Sequence, residues 1–78
     1  MRPNFLRDAE DWLLKADEDL LAGDVLLSSR TAVLGVIAFL AQQACEKSLK
    51  GFLTAHGRTF PKTHELERLL PDCVALEP

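Results

Sequence analysis

Five polar residues interrupt an otherwise apolar stretch: Gln42, Gln43, Glu46, Lys47 and Lys50, within QQACEKSLK. Their steps of one, three, one and three keep them on one side of a helix. Two chemistries fit such a stripe. It can fix the register of packed helices through hydrogen bonds and ion pairs, with acids such as Asp17 and Asp19 as partners for Lys47 or Lys50. Alternatively, Lys47 and Lys50 can supply positive charge to a groove for a nucleotide phosphate or an RNA backbone. Adjacent glutamines on an apolar helix argue for burial with partners, which favours the structural role.

A second group is basic: Lys50, His56, Arg58, Lys62 and His64. Cations near a helix C-terminus are stabilising in their own right. Together with the start of a following helix at Thr63 they could also hold an anion, although Glu65 and Glu67 oppose that. Arg58, Lys62, Lys47 and Lys50 are therefore the candidates for contact with a nucleotide or RNA. His64 reads as a structural hydrogen-bonding residue beside a cap. His56 and His64 bring no cysteine or carboxylate cluster at ligand spacing, so neither a metal nor a cofactor is expected. The chain has no glycine-rich phosphate loop and no G-x-S-x-G nucleophile turn.

Three helices would carry these groups. Between about 8 and 27, Ala9, Trp12, Leu13, Ala16, Leu20, Gly23 and Leu27 recur at three- and four-residue steps, an apolar helix face. Leu14, Leu21 and Val25 make a second line, so this helix should touch more than one neighbour. Asn4 suits an N-cap. Gly23 fits either a close approach to the partner helix or plain tolerance. Ser28, Ser29, Arg30 and Thr31 break the pattern. A second helix follows from about 32 to 55, where Glu46 and Lys50 form a favourable i,i+4 pair and Gly57 is a natural residue to end on. After Pro61, Thr63 suits an N-cap for a third helix over 63–70, with Leu66, Leu69 and Leu70 as its apolar face and Pro71 as its end or a bend. Trp12 and Phe39 belong to a core or a subunit interface.

Composition bounds the rest. Seventy-eight residues, 47% hydrophobic and 27% charged, make one globular domain spanning 1–78. A net charge of −3 opposes general nucleic-acid coating while allowing a local basic site. The run from Ala32 to Ala41 is too short to span a bilayer, and the first dozen residues carry acids rather than a secretory core, so a cytoplasmic protein is expected. Cys45 and Cys73 read as buried reduced thiols. The fold class is all-α: an antiparallel helical hairpin plus a short third helix, which cannot cover both long helices. The uncovered apolar lines call for another chain or for further helices.

Ala16, Asp17, Glu18, Asp19 and Leu20, then Ala22 and Leu26-Leu27, resemble the first helix of HEPN domains. Gln42 to Lys50 resembles the QQAxEKxxK core of their second helix, and Pro61-Lys62-Thr63-His64-Glu65-Leu66 the KTHxL start of their third. All three occur in the family's order over about 8–70, with Gln42, Gln43, Glu46 and His64 as signature positions. The resemblance implies a prokaryotic up-and-down helical bundle, usually a homodimer. It also implies frequent pairing with a minimal nucleotidyltransferase in a toxin–antitoxin-like system. Many members are metal-independent ribonucleases with an R-x4-6-H motif on a late helix, completed across the dimer. The chain departs from that pattern: the helices beyond the third are not in it, so it looks truncated against the family. Arg58 and His64 match the motif formally, yet Pro61 stands between them and His64 aligns with KTHxL. The expected function is thus a nucleotide- or RNA-associated interaction protein. The alternative is an RNA-cleaving toxin using Arg58 and His64.

Overall fold

The computed structural model describes residues 4–30, 33–60, 62 and 65–76. They form three helices: α1 (Asn4–Leu27), α2 (Leu34–Ala55) and α3 (Leu66–Ala75). The all-α expectation holds, and among the described residues there is no strand. The long helices span about 36 and 33 Å at the α-helical rise per residue. They pack along each other as a hairpin, and α3 packs on α2 alone.

α1 begins about one turn earlier than the apolar pattern indicates, because Asn4 is inside the helix rather than ahead of it. Its end is closed locally. The Ser28 amide donates to the Asp24 carbonyl at 3.1 Å and the Ser29 hydroxyl to the Leu26 carbonyl at 2.7 Å. The turn through Arg30 thus keeps the role that its hydroxyl residues suggest. α2 starts after Val33, an extended residue with no side-chain cap.

The end of α2 is a Schellman motif. Gly57 has φ +68°, a conformation that favours glycine. Its amide donates to the Thr54 carbonyl and the Arg58 amide to the Leu53 carbonyl, both at 2.9 Å. This pair of bonds fixes where Arg58 leaves the helix. The His56 ring packs on Phe52, with centroids 4.6 Å apart.

α3 departs from the sequence reading at both ends. Its N-cap is Glu65, not Thr63, which lies outside the described residues together with Pro61 and His64. It also runs through Pro71 to Ala75 instead of stopping there. Proline removes one intrahelical hydrogen bond, but Leu69 and Cys73, four residues apart on either side of it, are both buried against Leu53 of α2. Their burial outweighs the lost bond. The Cys73 thiol additionally donates to the Leu49 carbonyl at 3.6 Å. Both cysteines are free thiols, but Cys45 is exposed rather than buried.

Close contact between α1 and α2 falls at Gly51, not Gly23. A Cβ on Gly51 would meet Trp12 Cβ and Leu13 Cδ2 at 3.3 Å and the Ala9 carbonyl oxygen at 3.4 Å. A Cβ on Gly23 would meet only Leu40, at an ordinary 3.9 Å. Gly23 is therefore tolerated, and Gly51 is what lets buried Ala9 bring the start of α1 down onto α2.

Candidate functional site

The polar stripe of α2 divides once the helices pack. Lys47 reaches across to Asp19 of α1 at 2.6 Å in a partly buried ion pair. Lys50 bonds Glu46 on its own helix at 2.8 Å, and both side chains are almost fully buried, at 8% and 2% exposure. Gln42 is exposed and Gln43 half-buried. Trp12 and Phe60 close over the buried pair: the Lys50 ammonium lies 5.3 Å from the Trp12 ring centre and 5.9 Å from that of Phe60. The two rings meet edge-on at 6.2 Å. A cation at these distances from ring faces gains cation–π attraction as well as its ion pair.

Of the four basic candidates, Lys47 and Lys50 are thus engaged inside the hairpin, while Arg58 and Lys62 are exposed. Position 64 lies outside the described residues, so Arg58 is the member of the formal arginine–histidine pair that can be placed. It sits in coil beyond the end of α2, not on a helix.

Arg58 borders a groove of about 480 Å³ that no motif in the sequence announced. Asp8, Asp11, Trp12 and Lys15 of α1 form one wall, and Thr54, Arg58, Thr59 and Phe60 the other. The spacing of Asp8, Asp11, Trp12 and Lys15, one helical turn apart, is the signal that could have found the α1 wall. Nothing in the sequence brings Phe60 to it. Lys15 lies over Trp12 at 5.5 Å from the ring centre.

Away from this groove the hairpin presents a largely apolar surface. Leu20, Gly23, Leu27, Ile37 and Ala41, with Asp19 and Asp24 at its edge, line one hollow. Leu20, Ala44, Cys45, Ser48, Leu49, Leu66 and Leu70 line the next, of about 400 Å³. Ser48, Leu49, Phe52, Leu70, Cys73 and Val74 line a third. Shared lining residues join them into one trough running from the α1–α2 turn to α3. Outside it, Leu14, Leu21, Val25, Leu34 and Phe39 are also exposed, so Phe39 is not a core residue.

Burial pushes the Cys73 thiol above its ordinary range, and the neighbouring Asp72 carboxylate adds to the shift. Among the described residues, no three histidine, cysteine or acidic side chains gather as a metal site. No helix among them is long and apolar enough to cross a membrane.

The HEPN domain family model matches residues 9–78. No curated relative and no solved structure matches the chain.

Proposed function

The chain belongs to the HEPN family, and from that premise we propose that it is a helical association subunit, forming a homodimer or pairing with a minimal nucleotidyltransferase in a toxin–antitoxin-like system. Family membership is consistent with a nucleotide- or RNA-associated role. The observation that carries the proposal is the apolar trough. Contiguous apolar surface of this kind marks an interaction site in a small domain. The accessible surface supports it: 5786 Å² for 8.7 kDa, against about 4,700 Å² for a compact monomer of that mass. The excess is of the order of the roughly 800 Å² that each partner contributes to a standard interface.

Sedimentation velocity across a concentration series tests this. A dimer is expected, converting to monomer with helicity retained when Leu20 or Leu70, both half-exposed in the trough, is replaced by glutamate. A monomer at every concentration would overturn self-association.

A further inference from the structure

The groove walled by Trp12 shares no lining residue with the apolar trough, and association leaves its chemistry unused. Four charged residues converge there, two of each sign: Asp8, Asp11, Lys15 and Arg58. Among the described residues none of the four is in an ion pair such as Lys47–Asp19, Lys50–Glu46 or Arg68–Glu65. Charges left unpaired around an aromatic wall are available to a ligand.

Each wall shows what it accepts. Trp12 already holds an ammonium: Lys15, exposed and flexible, sits over its ring at 5.5 Å, which is cation–π distance. Asp8 and Asp11 stand on the same helix a turn apart, and carboxylates only accept hydrogen bonds. That side is suited to a cation. Opposite, Arg58 offers a planar guanidinium, matched to a carboxylate through paired N–H donors, beside the Thr59 hydroxyl. Its backbone is pinned by the Schellman bonds. Trp12 itself is held from below by the buried Lys50–Glu46 pair and from the side by Phe60. A volume of about 480 Å³ lies within the usual range for small-molecule sites. The charge pattern also selects. A phosphate strand would meet Asp8 and Asp11, and a polycation would meet Lys15 and Arg58. A ligand carrying both signs at opposite ends meets neither obstacle.

We propose that this groove binds a basic amino acid, free or as the C-terminal residue of a peptide, its side-chain cation displacing Lys15 from Trp12 beside Asp8 and Asp11 and its carboxylate held by Arg58. Lys15 is then a tethered occupant of the cation seat.

Trp12 is the chain's only tryptophan, so its emission reports occupancy directly. The full chain is titrated with arginine, with Gly-Gly-Arg, with amidated Gly-Gly-Arg and with guanosine monophosphate, while melting temperature is followed in parallel. Arginine or the free-acid tripeptide should give a saturable emission change and raise the melting temperature. Whichever binds identifies the source, free amino acid or peptide end. Amidation should weaken the tripeptide about ten-fold, as should Arg58→Ala and Asp11→Asn for the ligand that binds. Lys15→Ala should tighten binding, since it removes the competitor, and Arg68→Ala should change nothing. Circular dichroism checks that each variant is folded. If Arg58→Ala is not, the amidated tripeptide asks the same question of the unaltered chain, as arginine amide does for the free amino acid. No response to arginine or the tripeptide at about 10 mM overturns the proposal. So does a Lys15→Ala variant that binds more weakly, or guanosine monophosphate binding as tightly as either. Oligomeric state does not enter the measurement, so failure here and failure of the association reading are distinguishable.

Discussion

Replacing Lys50 with methionine keeps the side-chain stem and removes the charge, leaving Glu46 buried without its 2.8 Å partner. Cutting one side of a buried ion pair costs about 3–5 kcal/mol. Glu46 has interactions besides Lys50, so the lower end, about 3 kcal/mol, is expected. The loss of cation–π attraction to Trp12 and Phe60 acts in the same direction. At about 0.05–0.15 kcal/mol per residue, a 78-residue domain has roughly 4–12 kcal/mol of stability in all. One substitution in the polar stripe of α2 should therefore remove a large part of it. With a urea slope of about 1 kcal/mol/M for a small protein, the midpoint should fall by about 3 M. Circular dichroism and Trp12 emission should report the same transition. The double variant Glu46→Leu/Lys50→Met should recover most of the loss, since a well-packed apolar pair can replace a buried ionic one. If Lys50→Met unfolds within about 0.5 M of the parent, the pair does not stabilise the fold as a buried ion pair must, and Lys50 becomes available again as a ligand contact.

The two helix glycines should respond with opposite signs. Gly23→Ala, with only ordinary contact to Leu40, should gain up to about 1 kcal/mol of helix propensity in chemical denaturation. Gly51→Ala meets Trp12, Leu13 and the Ala9 backbone at 3.3–3.4 Å and should lose about 1–2 kcal/mol net, because overpacking exceeds the propensity gain. In the monomeric Leu70→Glu variant, whose trough is uncovered, the cysteines should separate in rate: iodoacetamide should modify exposed Cys45 in the folded chain and Cys73 only as the chain opens. Because the folded Cys73 thiol ionises less readily than the unfolded one, its contribution to stability is complete below the ordinary thiol pKa, starts to be lost there, and is gone once pH has risen past the raised value of the folded state. A Cys73→Ala variant should show less of that alkaline fall in its urea midpoint.

The parts of this fold legible in sequence are those set by neighbours three and four residues away. The apolar periodicity of Ala9 to Leu27 and of α2 established the hairpin, and Gly57 marked the end of α2. Asp19–Lys47 was legible too, as acids on one long helix facing lysines on the other. Features that depend on a distant segment were not. Glu46 and Lys50 read as a favourable i,i+4 pair, but their spacing says nothing of Trp12 and Phe60 closing over them. Pro71 read as an end or a bend because its local cost is visible and the burial of Leu69 and Cys73 on α2 is not. Gly51 went unnoticed because a glycine's neighbour across a helix pair leaves no mark in its own sequence context. For the same reason the groove became visible only when the loop carrying Arg58 and Phe60 was placed against Asp8, Asp11 and Lys15.

Placement of Arg58 also bears on the enzymatic alternative. In the R-x4-6-H arrangement the arginine and histidine act from one late helix, whose rigidity holds them in a common orientation. Arg58 is instead the residue that closes the Schellman motif, with its amide bonded back to Leu53. α3 begins only at Leu66, after an N-cap at Glu65. Arg58 therefore has no helical turn in common with position 64, and general acid–base catalysis loses the preorganisation on which its roughly 10²- to 10⁴-fold contribution depends. The chain is accordingly expected to leave single-stranded RNA uncut above a buffer control in the presence of a chelator. Cleavage that persists in chelator and disappears in both Arg58→Ala and His64→Ala, with helicity intact, would refute this and make the enzyme the correct reading. His64→Ala that instead unfolds the chain would assign that histidine to the structure, in line with the part its KTHEL context suggests.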